Sequence, residues 1–240
     1  MSGPDIFEPH RQAWRNKAAL RRYYECEIFD RIIAEMRPGP ALEIGTGPGF
    51  FADYHPGMTG LDVIPAHPSA RSGDVHAMPF DDGAFANVVG VDVLHHLARP
   101  GQALREIARV LAPGGRLILV EPWAGPLGRL FYRYLHHEDC VAVNDPWDAA
   151  FPPGKNAMDG NAIIPWTVLS ARQSELIGHA PLAVRRCEPF GILAYAATGG
   201  FQSFGLPWPV IDGLRRAERI LPRAVHRWAA LRALFVVERL

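Results

Sequence analysis

The residues best placed to do chemistry in this 240-residue chain begin at Glu43-Ile-Gly45-Thr-Gly47-Pro-Gly49, where three glycines alternate behind a carboxylate. Ala41-Leu42-Glu43-Ile44 reads as a short buried strand, and a glycine pattern carries meaning only when it follows a strand. Glycines accept positive φ and leave room for a ligand to lie against the backbone. Asp62 comes nineteen positions after Glu43, at the end of a second short strand, Thr59–Asp62. A carboxylate there can accept both hydroxyls of a ribose. The pattern taken alone is also compatible with a tight turn beside a surface aspartate.

Two details separate the nucleotides such a loop could hold. A dinucleotide loop spaces its glycines GxGxxG and turns a helix N-terminus toward a pyrophosphate. Here the spacing is GxGxG, and Glu43 stands in the approach, where its charge repels pyrophosphate and suits a cationic ligand. S-adenosylmethionine carries an ammonium and a sulfonium, so the residues favour it over NAD.

Further along the chain come Gly73-Asp74-Val-His-Ala-Met-Pro-Phe80, Val93-Leu-His-His-Leu97 and Leu111-Ala-Pro-Gly-Gly-Arg-Leu117. With Ala41–Gly49 these four segments, in this order, resemble the class I S-adenosylmethionine-dependent methyltransferases of type 11, especially the quinone-biosynthesis subgroup. The resemblance implies that Glu43, Gly45, Thr46, Gly47 and Gly49 hold the methionine end of the donor, and that Asp62, followed by Val63, takes the ribose. Asp74 would face the adenine amino group with Val75 against the ring, and Val91 and Asp92 would lie near the donor. The chain departs from the pattern in three places. Asp62 comes only thirteen positions after Gly49, and Pro65 and Pro68 crowd the stretch before Asp74. Both connections sit near or below the ~10–12 residues a parallel crossover usually needs. Ala86 also replaces the aspartate usual in the family after Phe85.

Methyl transfer from a sulfonium needs in-line placement and exclusion of water more than acid–base work. Where a base is needed, His95 and His96 are the candidates, because they follow the fourth strand at the edge where α/β ligands bind. Such a pair can equally cap a turn. His136-His137-Glu138-Asp139-Cys140 looks like a metal cluster. Adjacent helical histidines point apart, however, and the expectation is a solvated helix end with no metal.

The elements that must position these groups follow from periodicity. Phe7–Met36 reads as one or two helices, stopped by Pro38-Gly39-Pro40. Valine-rich Asn87–Val93 suits a strand buried on both faces, Gln102–Leu111 a helix, and Arg116–Val120 the next strand. Alternating strands and helices imply an α/β Rossmann-like, doubly wound, mostly parallel sheet in a single domain, with residues 1–37 as a helical lead-in and 41–121 as the cofactor core. Past Glu121 the expectations are helices at Leu127–His136 and Thr167–Ile177, a strand within Ala183–Ala197, two helices within Pro209–Ala230, and a last strand at Leu234–Glu238. Residues 122–166 and 199–231 would form acceptor-side lids, with Phe131, Tyr132, Trp147, Trp166, Phe201 and Trp208 available to line an apolar pocket.

Composition bounds the partners. Twenty-five basic residues balance twenty-five acidic ones, which argues against nucleic acid. Three scattered cysteines, no apolar run of ~20 residues and no basic-then-apolar start point to a cytoplasmic protein. The arginines of residues 209–231 suggest peripheral contact with an anionic membrane or a lipid-linked acceptor, although a surface helix packed on the core makes the same pattern. The expected function is methyl transfer to a small molecule, lipid or glycan precursor. An NAD-dependent oxidoreductase and a non-catalytic S-adenosylmethionine-binding subunit are the rivals.

Overall fold

Pro38-Gly39-Pro40 breaks the N-terminal helical run and delivers the chain into the middle of a seven-stranded sheet. The computed structural model describes residues 5–136, 138–151 and 160–240. The lead-in comprises α1 (Glu8–Asn16), α2 (Ala18–Tyr23), a π-helical turn (Tyr24–Phe29) and α3 (Asp30–Glu35). Then come β1 (Ala41–Ile44), α4 (Phe50–Tyr54), β2 (Thr59–Asp62), β3 (Ala70–Ser72), β4 (Phe85–Val91), α5 (Pro100–Val110) and β5 (Leu111–Pro122). The second half contains α6 (Pro126–Leu135), α7 (Ile164–Trp166), a π-helical turn (Thr167–Ala171), α8 (Leu176–His179), β6 (Leu182–Phe190), α9 (Leu193–Thr198), α10 (Trp208–Arg219), α11 (Arg223–Ala229) and β7 (Arg232–Arg239).

The strand order is β3-β2-β1-β4-β5-β7-β6. All neighbours are parallel except β7, which runs antiparallel to β5 and β6. The expected Rossmann-like α/β sheet is therefore present. Chain order reverses between β1 and β4, the crevice where such folds bind ligands.

Alternation along the central strands builds a core on each face. Leu117 and Leu119 of β5, with Phe235 and Val237 of β7, pack with Leu104 and Ile107 of α5. Ile118 and Val120, with Leu234 and Val236, pack with Leu20, Ile28 and Ile32 of the lead-in. The N-terminal helices are thus one of the two layers that cover the sheet.

The crowded connections resolve without loss of strand pairing. The first crossover holds only the five-residue α4, and β2 pairs with β3 in parallel through residues 63–69 with no helix at all. Pro65 and Pro68 forbid the helix, and a three-residue edge strand needs little reach. Two expectations need correction. The strand sought within Ala183–Ala197 ends at Phe190, because Gly191 at φ +65° turns the chain and Leu193–Thr198 is helical. The Thr167–Ile177 helix is broken into a π-turn, a 3-10 turn (Gln173–Glu175) and α8.

Glu218 of α10 locks that turn in place. Its buried carboxylate accepts the backbone N–H groups of Ile192 (3.1 Å) and Ala194 (2.7 Å), donors that the short α9 cannot pair internally. Leaving both N–H groups unpaired costs about 1–3 kcal/mol each. Glu218→Ala should therefore lower the unfolding free energy by about 2–4 kcal/mol in urea titrations at unchanged m, while Glu218→Gln, which keeps one acceptor oxygen, should recover part of it.

Candidate donor and acceptor site

The glycine loop is fastened to β2 by one carboxylate. Asp62 accepts the Gly47 N–H (2.8 Å) and the Ile64 N–H (2.8 Å), while Gly45 N–H bonds Leu61 O at 2.9 Å. Gly45, Gly47 and Gly49 adopt φ of +64°, +53° and +89°. A Cβ on Gly45 would collide with Val93 at 2.7 Å and one on Gly49 with the His67 ring at 2.3 Å. At Gly47 the nearest atom stands 3.8 Å away, on Phe7, so that glycine faces usable space. Thr46 turns inward instead, its hydroxyl 3.4 Å from the Glu43 carbonyl.

Glu43 is the anomaly of the loop. Only 4% exposed, its Oε2 has no hydrogen-bond partner. Burial, then the charges of Asp62 and Asp53, push its carboxyl from an ordinary 4.5 up to about 8. A buried carboxylate without donors is costly, and a ligand ammonium is the kind of group that would satisfy it. The residues therefore fit the donor expected from the sequence.

The remaining donor-side candidates surround the same edge. Val63, 64% exposed, presents apolar surface directly after Asp62. Val75 is buried, and Asp74 beside it holds His76 through the backbone N–H (2.9 Å) and Nδ1 (2.6 Å). Val91 ends β4, and Asp92 follows at φ +56° with its carboxylate 2.5 Å from Arg232 Nη1. Arg232 is 2% exposed, starts β7, and stacks its guanidinium 5.2 Å from the Tyr195 ring centre. Asp92 thus turns to a cation from the far end of the chain.

His95 and His96 lie on a 3-10 turn, Leu94–His96, at the carboxyl edge of β4. Glu121, at the end of β5, is fully buried and accepts Val93 N–H (2.9 Å), Leu94 N–H (2.6 Å) and His95 Nδ1–H (2.6 Å). His95 Nε2 lies 3.3 Å from Glu138. Burial opposes a charge on His95, but Glu121 and then Glu138 overcome it and hold its proton up to about 10. Both ring nitrogens of His95, expected from the sequence as a candidate base, face carboxylates. His96 is the more exposed of the pair, with Nε2 3.4 Å from Glu138.

The segment 136–140 is corrected in part. His137 lies outside the described residues. Glu138 is half-buried, with His95, His96 and His136 around its carboxylate. Glu121 and Arg232 were missed from the sequence, and Glu138 stood out only as part of the metal-like His136–Cys140 run. Glu121 did carry a signal, a lone carboxylate closing an apolar strand; Arg232 had none.

The lead-in and the 199–206 loop close over this edge. Lys17 Nζ donates to the carbonyls of Gly200 (2.6 Å), Gln202 (3.0 Å) and Phe204 (2.6 Å). Trp14 stacks on Phe50 at 4.2 Å, and Phe201 lies 6.2 Å from Phe50 and 5.8 Å from Tyr24.

The Glu43 carboxyl titrates higher folded than unfolded, so the folded state retains the extra proton between about pH 4.5 and about 8. Stability of the ligand-free protein should fall with rising pH through that window, by up to about 1.4 kcal/mol per pH unit from this group. Glu43→Gln should remove that part of the slope in denaturant titrations.

Comparison with known proteins follows the same division. Residues 42–119 match the family model described as a methyltransferase domain. An uncharacterised protein of a Streptomyces fradiae transposon is 50% identical over 123 residues, covering 42% of this chain and 35% of that one. A demethylmenaquinone methyltransferase of Deinococcus radiodurans is 31% identical over 125 residues, covering 42% and 51%. The chain thus spans about half or less of the length of these curated relatives. The crystal structure of an S-adenosylmethionine-dependent methyltransferase from Thermotoga maritima superimposes with a TM-score of 0.56 over 97% of both chains at 15% identity, which establishes a common fold. Residues 42–119 thus match a methyltransferase-domain model, and the chain shares the overall fold of the Thermotoga maritima protein.

Proposed function

We propose that this protein transfers a methyl group from S-adenosylmethionine to a small molecule, lipid or glycan precursor. The observation that carries the reading is Glu43, a buried carboxylate with an unpartnered oxygen at a glycine loop that Asp62 holds open. When bound, S-adenosylmethionine supplies an electrophilic methyl on a sulfonium. The chain's own residues bind and orient. Glu43 takes the ammonium, and the open face of Gly47 admits the backbone of the ligand. Asp62 takes the ribose, Val63 and Val75 flank the adenine, and Asp74 meets its amino group. NAD fits this set poorly, because Glu43 would oppose a pyrophosphate.

On the acceptor side, Phe201, Tyr24 and Tyr195 supply apolar walls and Lys17 holds the covering loop shut, which excludes water. Glu121 fixes the turn that bears His95 and His96, so these histidines serve placement rather than proton abstraction. Because the sulfur leaves as a neutral thioether, placement alone can supply much of the acceleration.

A lipid-linked acceptor is favoured by the face that α6 and α11 share. Gly125 and Gly128 let α6 approach closely: a Cβ on Gly125 would stand 2.5 Å from Arg227 O. Exposed on α6 are Leu130, Tyr134 and Leu135, and on or just before α11 are Ile220, Leu221, Val225 and Trp228, with Ile220 84% exposed. The arginines of α10 are partly consumed internally, since Arg215 and Arg219 both pair with Glu27. Arg223 and Arg227 of α11 have no carboxylate partner among the described residues. Exposed apolar side chains beside unneutralised arginines suit an anionic lipid surface.

Two measurements test these readings. Asp62→Ala should weaken adenosylhomocysteine binding by roughly 10- to 100-fold in calorimetry, the worth of hydrogen bonds to a charged group; tight NADH binding with no response to adenosylhomocysteine would overturn the donor. Vesicles rich in phosphatidylglycerol should sediment the protein where phosphatidylcholine vesicles do not. At about 1 kcal/mol per arginine, Arg223→Ala with Arg227→Ala should weaken that binding roughly thirtyfold. Equal behaviour on both vesicle types would remove the membrane and leave methyl transfer standing.

A further inference from the structure

Adjacent histidines rarely converge, but the 3-10 turn after β4 tilts the His95 and His96 rings only 39° apart with centres 4.2 Å from each other. Both turn Nε2 toward one carboxylate from a different segment, Glu138. The separations are 3.3 Å from His95 and 3.4 Å from His96, and His136 Nδ1 stands 3.6 Å from the same group. A charge-assisted N–H···O bond would sit near 2.7–2.9 Å, as the His95–Glu121 bond does at 2.6 Å. Ligand atoms on a tetrahedral metal at about 2.0–2.1 Å stand about 3.4 Å apart. The three contacts have the second spacing.

We propose that His95, His96 and Glu138 bind a divalent transition-metal ion at the acceptor side of the site. The ligand atoms of these three residues lie within 4.8 Å of one another. Glu121 is the outer partner. It is buried, anchored by the N–H groups of Val93 and Leu94, and bonded to His95 Nδ1, which leaves Nε2 to face Glu138. A carboxylate on the far nitrogen is how metal-bound histidines are oriented and made more basic. A bare ion pair would have no use for it.

Two imidazoles and one carboxylate form a borderline donor set that selects zinc, cobalt or ferrous iron over magnesium or calcium. His95 is sealed, whereas the His96 and His136 side chains are 30% and 28% exposed and give the ion a way in. Three protein ligands leave a position for an acceptor oxygen, and His136 is close enough to occupy it between turnovers. His96, expected from the sequence as a base, becomes a ligand. The site's part in placing an acceptor rests on the methyl-transfer reading; the binding of the ion does not.

The test uses the full chain without a purification tag, stripped with chelator and then titrated with Zn2+ by calorimetry and with Co2+ by visible absorption. One equivalent of either metal should bind, and Co2+ should develop the intense bands of a low-symmetry N/O site. Glu138→Gln and His96→Gln should each lose at least a hundredfold in affinity, and Glu121→Gln, which touches only the outer nitrogen, about 10- to 100-fold. His55→Gln should change nothing. Thermal melts and adenosylhomocysteine affinity on the same samples separate loss of the ion from loss of the fold. Stoichiometric metal binding without adenosylhomocysteine binding would uphold the ion site and sink methyl transfer. Absence of stoichiometric binding in the wild type, or undiminished binding in folded Glu138→Gln and His96→Gln, would overturn the proposal and leave an ion-paired cluster.

Discussion

A carboxylate removed from water must be met by donors or by cations, and the carboxyl edge of this sheet is assembled around that demand. Asp62 is met by two backbone N–H groups, and in meeting them it shapes the glycine loop. Glu121 takes three donors and thereby fixes the turn after β4. Asp92 is met by Arg232, the buried first residue of β7. Glu43 alone among these has an oxygen that nothing in the described chain meets. Three of the four arrangements stabilise the protein, and the fourth leaves the carboxylate on which the proposed function rests.

The arrangement explains why the antiparallel strand matters. β7 runs against β5, with Pro122 opposite Arg232, so it begins where the parallel strands end. A residue at its start lands on the ligand edge although it lies 140 positions from its partner. A parallel final strand would have put that position at the opposite edge. Removing Asp92 leaves the buried Arg232 guanidinium without its carboxylate, which costs several kcal/mol. The start of β7 is therefore coupled to the end of β4, where Val91 and Asp92 lie.

The donor half was legible in the sequence because its contacts are local. Asp62 and Gly47 are fifteen positions apart, and strand, loop and acid follow one another in reading order. β1, β2, β4 and the helix near Gln102 came out within two residues of their observed limits, whereas β5 starts at Leu111, five residues before the Arg116 expected. The crossovers that looked too short are short, and pairing survives because Thr59–Asp62 and Ala70–Ser72 need only a few ladder bonds. A Val-rich run states its structure without help from the rest of the chain.

The acceptor half was illegible for the complementary reason. Lys17 reaches Gly200 across 183 positions, and Glu138 meets His95 from beyond the end of α6. A basic helix reads as amphipathic whether its arginines serve a membrane or a buried glutamate, and only tertiary placement shows that Arg215 and Arg219 serve Glu27 while Arg223 and Arg227 do not. His136–Cys140 reads as a solvated helix end because nothing nearby in sequence reveals that Glu138 turns inward. The same locality governs what each half can become: the glycine loop proposed for the donor is specified by some twenty consecutive residues, whereas the space proposed for an acceptor is bounded by the two ends and the middle of the chain. Changing that space therefore requires no change in the glycine loop, as long as Asp92 keeps its arginine and Glu121 its three donors.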